Sequence, residues 1–210
     1  MIVRLFPAVS ALVLAGALAL GAAPAQAGGS AVHAPAVTQP GAQAADSVLL
    51  APWQSAHVRL SAQTQSWLSS NGVIFTAIAP FVLDSDGLGF TVPSGETSGD
   101  EAALPGGFGL SKGGTSLDFA SSAFKVLLRA NWNADNVNVN GSSVGTNVLI
   151  ARSTAAELLA HRTLGPNGLR VTGALPLHVS DSLESLTQEQ LDTSPVAGDV
   201  FFTLTPTYAN

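Results

Sequence analysis

Asn136-Val137-Asn138-Val139-Asn140-Gly141-Ser142-Ser143 is the stretch that decides how this chain is read. Valines alternate with asparagines, the period of a strand with one buried and one solvated face. Asn140-Gly141 then offers two residues that tolerate positive φ, which a two-residue hairpin turn requires. The pattern predicts a strand, a tight turn and an antiparallel return through the β-like run Asn147-Val148-Leu149-Ile150.

Working outward, the same period recurs. Upstream lie Val58-Arg59-Leu60, the nearly continuous apolar run Val73 to Ile78, Leu88 to Val92, Phe108 to Leu110, Leu117 to Phe119 and Phe124 to Leu128. Downstream lie Leu169 to Leu177 and Val200 to Leu204. The Val73 to Ile78 run is expected to be buried on both faces. About ten short strands punctuated by Gly and Pro predict an all-β fold, an antiparallel β-sandwich or partly open barrel.

Two or three short helices should interrupt the sheets. Ser61 can cap one running to Leu68, with Asn71-Gly72 as its left-handed stop. Thr154-Ala155-Ala156-Glu157 is a capping box for a second, ending before Gly165-Pro166. The third runs from about Ser182 to Leu191. His57 to Ser61 and Leu177 to Ser180 each precede a helix, so strand, serine cap and helix recur as a faint internal repeat. Symmetric packing of the two units would make His57 and His178 neighbours.

The chain has 210 residues, 46% hydrophobic and only 10% charged, with a formal net charge of −6. Globular domains average about a quarter charged residues, so this surface is built of Ser, Thr, Asn, Gln and Gly. The acidic balance excludes a nucleic-acid partner, which needs clustered Lys and Arg. The absence of cysteine excludes a disulfide framework, a thiolate zinc site and a cysteine nucleophile. Residues 1–27 read as a secretory signal peptide: Arg4, an apolar run from Leu5 to Leu20, then Ala25-Gln26-Ala27 before the cut. Residues 28–47 read as a flexible Ala, Gly and Pro leader, and 48–210 as a single β domain. The expected location is extracellular, with no membrane span after cleavage.

Several chemistries have candidate residues. Gly141-Ser142-Ser143-Val144-Gly145 matches a nucleophile elbow with Ser143 as nucleophile and His161 or His178 as base. An elbow sits between a strand and a helix, however, and this one sits in a predicted hairpin. Asp84-Ser85-Asp86-Gly87 opens like a calcium loop, which makes Asp84 and Asp86 calcium candidates. The same four residues also suit a turn whose Asx side chains bond their own backbone. A calcium loop begun at Asn136 fails, because Asn147 stands where a bidentate Glu is needed. Trp132, between Asn131 and Asn133, reads either as a half-exposed ring beside the asparagine ladder, where a ring and amides suit carbohydrate stacking or a protein contact, or as a ring covering the end of the sandwich. Trp132, Asn138, Trp67 and His178 form the candidate ligand-binding set, with cell-wall glycan or another protein as partner.

Lys112-Gly113-Gly114-Thr115-Ser116-Leu117-Asp118-Phe119, followed by Phe124-Lys125-Val126, resembles the glycine-pair strand of secreted actinobacterial β-rich proteins, including HtaA-type haem-uptake domains. The resemblance implies an all-β secreted fold. It implies haem binding only where the family's ligands are matched, a tyrosine near the domain start and a histidine close to the glycine pair. Here the one tyrosine is Tyr208 and Lys112 precedes the glycines, so the resemblance implies the scaffold without the haem ligands. The resulting expectation is an exported, non-enzymatic protein of the cell envelope or extracellular space, binding or structural, without a cofactor. The alternatives are a carrier of haem or an apolar small ligand in a pocket between the sheets, and a secreted serine hydrolase.

Overall fold

The computed structural model describes residues 49–209 except Ser94; the expected signal peptide and leader lie outside the described residues. The described residues belong to one compact unit, Gln43–Asn210. Its first elements are β1 (Ser55–Leu60), α1 (Ala62–Asn71), β2 (Ile74–Ile78), β3 (Val82–Leu83), β4 (Gly89–Pro93), β5 (Thr97–Ser98) and β6 (Glu101–Leu104). The middle holds β7 (Gly107–Lys112), β8 (Thr115–Val126), β9 (Ala130–Val139), β10 (Ser142–Arg152) and α2 (Ala155–Ala160). The chain ends with β11 (Arg162–Gly165), β12 (Gly168–Val171), β13 (Leu175–Val179), α3 (Asp181–Leu191) and β14 (Val200–Thr207).

The Asn140-Gly141 turn forms as read. Both residues have positive φ, 50° and 80°, and Val139 pairs with Ser142 across the turn. Around this hairpin one antiparallel sheet runs in the order β2-β7-β8-β9-β10-β13-β14-β1-β4-β3, with β6 and β5 branching from β8. A short turn joins the two end strands, β2 and β3, so the sheet nearly closes as a barrel. β11 and β12 form a separate hairpin. The fold is therefore all-β with three helices, as the period-two pattern requires.

Two expectations about strands are corrected. The Val73 to Ile78 run is not doubly buried. β2 is an end strand whose Ile74 is 63% exposed, while Phe75 turns inward to stack with Phe90 and Phe108. The sheet curls round the core with one face inward, so a strand in it needs apolar residues on that inner face alone. In addition, Leu117 to Phe119 and Phe124 to Val126 are one strand, β8, and the Leu169 to Leu177 run splits into β12 and β13 at Gly173, where φ is 68°.

Aromatic rings fill the interior. Trp132 is fully buried, 0% exposed, and meets Phe81, Phe90 and Phe202 edge-on at 6.2, 6.3 and 5.1 Å. The expected half-exposed stacking platform at Trp132 does not exist. The reason is the alternation itself: in a strand, a residue between two outward amides points inward. Its indole N–H is left without a hydrogen-bond partner.

The repeat is real in local chemistry. β1 and β13 both pair antiparallel with β14, one on each side, and each runs into a serine that caps a helix. The Ser61 hydroxyl accepts from the Thr64 N–H and donates to the Val200 carbonyl, while its own N–H donates to Phe201. The Ser180 hydroxyl accepts from the Leu183 N–H at 3.0 Å and donates to the Leu149 carbonyl at 2.6 Å, while its N–H donates to Ile150. Each serine thus ties its helix to two successive carbonyls of the next strand. Counting back from the serines, Arg59 matches His178. His57 and His178 are therefore not neighbours; His57 pairs with Thr205 of β14 and His178 with Val200.

Candidate functional site

The end of the β9–β10 hairpin remote from its turn is fastened by two backbone-centred bonds. The Ala130 N–H donates to the Ser153 hydroxyl at 3.0 Å, and the Ser153 N–H donates to the Ala130 carbonyl at 2.8 Å. Arg129 and Arg152, the residues just before each partner, are thereby held close on neighbouring strand ends. On the next strand Arg152 pairs directly with His178 of β13. Arg129, Arg152 and His178 line one cavity of about 340 Å³, completed by Thr154 at the start of α2 and Gly198 from the segment before β14.

His178 is fixed at both ring nitrogens. Nδ1 lies 2.8 Å from the Gly198 carbonyl and Nε2 lies 2.8 and 3.0 Å from the two carboxylate oxygens of Glu157. The two contacts fix the orientation of the ring. Glu157 also closes the capping box that opens α2, accepting from the Thr154 N–H at 2.7 Å and the Thr154 hydroxyl at 2.8 Å. Burial alone would push the Glu157 carboxyl up. The bonds from the Thr154 backbone, the His178 ring and the Thr154 hydroxyl outweigh it and hold Glu157 below the ordinary value. Neither Arg129 nor Arg152 has a carboxylate within ion-pair distance among the described residues. Arg152 lies opposite Asn131 on β9 and His178 on β13, so no acid faces it across either ladder. Asp181 is the one acid lining the cavity, and Glu157 is engaged by His178.

Of the four ligand-binding candidates, two adjoin. Trp67 lines a smaller cavity of about 130 Å³ on the other side of the segment 194–199, and both cavities share Val179. The Trp67 indole N–H donates to the Thr193 hydroxyl at 3.1 Å, which ties α1 to the chain leaving α3. Asn138 stands elsewhere, half-buried on β9 between Asp118 and Ser143 of the flanking strands. Trp132 is in the core. Arg129 and Arg152 were not singled out by the sequence reading. They are 23 positions apart, and two bulges in the β9–β10 ladder shift the register between them.

The other candidates sit as follows. Ser143 lies in β10 just beyond the hairpin turn, in a strand-turn-strand and not a strand-turn-helix setting, and its hydroxyl bonds no histidine among the described residues. His161 donates from Nδ1 to the Thr172 carbonyl at 2.8 Å. Asp84 and Asp86 form the expected turn, with the Asp86 carboxylate accepting from the Leu88 N–H at 2.9 Å. Their carboxylates meet basic side chains: Asp84 lies 2.8 Å from His57 Nε2 and Asp86 2.7 Å from Arg59. Bonds from the Leu88 backbone and from Arg59 hold the Asp86 carboxyl below its ordinary value. No group of three or more His, Asp or Glu is gathered for a metal among the described residues. No described helix is long and apolar enough to cross a membrane.

A haem would need an iron ligand beside the glycine pair, and none lines the cavity there. The cavity beside Gly113-Gly114, about 210 Å³, is lined by Gly72, Ile74, Ser111, Lys112, Thr115 and Ser116 besides the glycine pair, with no Tyr, His or Met to ligate iron. Tyr208 is elsewhere: its hydroxyl accepts from the Val171 N–H at 2.8 Å and its ring lies under Arg170, 5.1 Å from the guanidinium. Burial keeps the Tyr208 phenol above its ordinary value, which disfavours the phenolate that an iron ligand needs. These residues do not fit the group.

No family model matches the chain, and no curated protein matches it. Among solved structures it is similar to the haem-binding protein HtaB from Corynebacterium glutamicum, at a TM-score of 0.45 and 11% identity, covering 74% of this chain and 92% of that one. A likeness at this level transfers no residue role from one chain to the other.

Proposed function

We propose that this chain is an exported, non-enzymatic binding protein of the cell envelope or extracellular space, and that its ligand carries an oxyanion, a carboxylate or phosphate. The observation behind this reading is the convergence of Arg129, Arg152 and His178 on one cavity in a chain of net charge −6, with both arginines lacking a carboxylate partner. A guanidinium offers a planar fork of donors that suits carboxylate and phosphate oxygens. His178 spends both nitrogens inside the protein, so it shapes the cavity wall while the arginines supply the bonds. The binding step needs no acid–base or nucleophilic group, and none is assigned.

Thermal unfolding with added phosphate tests the reading, because a ligand that binds only the folded state raises Tm. Phosphate is expected to raise Tm above a sodium chloride control of equal ionic strength. The variant R129A/R152A should lose that difference, since each charged hydrogen bond removed is worth about tenfold in affinity. No rise over the chloride control, or an equal rise in the variant, overturns the reading.

A further inference from the structure

The cavity has apolar neighbours that a small oxyanion does not use. Leu127 and Leu128 form the tip of the β8–β9 hairpin, immediately before Arg129, and are 70% and 80% exposed. Consecutive residues of an extended strand would point to opposite faces, but here a tight reversal, with the Leu127 N–H donating to the Arg129 carbonyl, leaves both in water. Val196, 62% exposed, precedes the cavity-lining Ala197 and Gly198. Three large apolar side chains thus stand in segments that border the cationic cavity. A folded chain gains nothing from leucines at a hairpin tip in water, and adjacent exposed apolar groups mark a surface for something else.

We infer that this end of the protein docks on a membrane surface rich in anionic phospholipid, the two leucines entering the acyl boundary while Arg129 and Arg152 hold headgroup phosphates. The inference deepens the oxyanion reading and rests on it for the phosphate contacts. Charge complementarity selects the occupant: the free positive groups of this end are the two arginines beside the leucines, and an anionic leaflet pairs phosphate with acyl chain in the same order. A neutral apolar partner would leave the arginines unpaired on burial, which is costly. Because the chain as a whole is acidic, attraction is confined to this end and must fall with salt. Docking by a hairpin tip needs no spanning helix.

Co-sedimentation of the described domain with phosphatidylcholine vesicles, with and without phosphatidylglycerol, is the test. Binding is expected only to the vesicles containing phosphatidylglycerol, weakening as salt rises. L127S/L128S should lower the partition coefficient by about tenfold or more, the loss of two leucines from an apolar phase. R129A/R152A should lower it about fivefold for each arginine. The leucine variant should keep the phosphate-induced rise in Tm, because its guanidiniums are intact, and that rise also reports that it folds. Absence of vesicle binding while phosphate still raises Tm overturns the docking and leaves the oxyanion site standing. Vesicle binding that is insensitive to L127S/L128S, or equal on pure phosphatidylcholine, also overturns it. Failure of both vesicle binding and the phosphate effect overturns both readings together.

Discussion

The Ser61 unit and the Ser180 unit share a strand, a serine cap and a helix, yet they end in opposite electrostatic states. Two positions before each serine stands an outward basic side chain paired with a carboxylate: Arg59 with Asp86 at 2.7 Å, and His178 with Glu157 at 2.8 Å. Around Ser61 the second base, His57, is also taken up, by Asp84. Around Ser180 two further bases, Arg129 and Arg152, remain without an acid. The same scaffold is closed at one copy and open at the other. Function, on this reading, comes from which charges were left unneutralised and not from a different backbone.

The largest expected effect probes what the copies share. Ser180 is 2% exposed, and Ser180→Ala removes both the cap of α3 and the partner of the Leu149 carbonyl. Losing a cap costs about 1 kcal/mol and losing the bond to the half-buried Leu149 carbonyl about 1 more, so a loss of about 2 kcal/mol is expected. Ser61 is only half-buried, and water can replace part of what Ser61→Ala removes, for a loss of about 1 kcal/mol. Urea unfolding should show both as lower midpoints with unchanged slopes. Equal losses at the two serines would mean that burial does not distinguish the copies.

A middle-sized effect separates them by pH. Glu157 titrates below its ordinary value of 4.5 in the folded protein, so it stabilises the fold above that value. This contribution is lost as pH falls through the lower folded-state value, where the carboxylate takes up a proton. Glu157→Gln should therefore lower Tm at neutral pH. The gap to the wild type should close once the pH is well below 4.5. A gap that persists in acid would show that the carboxylate's charge is not what holds His178 and the α2 cap.

Much of this architecture was legible before any coordinates. The Asn140-Gly141 turn, the serine caps and the Thr154–Glu157 box are local chemistry, and local chemistry is written in neighbouring residues. Trp132 is buried although its sequence neighbours are polar, because strand alternation sends neighbours to opposite faces. β2 shows one face to solvent because the curled sheet buries only its inner face, which an apolar run does not reveal. The arginine pair was missed for a different reason. Arg152 faces Asn131 only after bulges at Ser143/Gly145 and Leu149/Ala151, and counting back from the turn without them misaligns the far end of the hairpin. A site assembled by ladder register is the part that sequence period hides.

The smallest expected effect is the most direct challenge to the contrast between the copies. If the Ser61 unit is silent only because its bases are neutralised, removing the acids should open it. The double variant D84N/D86N keeps the turn, since an Asn side chain still accepts from the Leu88 N–H, but releases His57 and Arg59. Stability should change only modestly, because Asp86 is exposed and Asp84 half-buried, where an ion pair is worth little. In the R129A/R152A background, where the native site is disabled, D84N/D86N should restore a small phosphate-dependent rise in Tm. It should be weaker than the wild type's, because Arg59 is one guanidinium where the native cavity has two. No restoration would mean that the cavity's shape, set by Gly198 and the start of α2, matters as much as its free charge, and that two like-built units differ in more than which acids they hold.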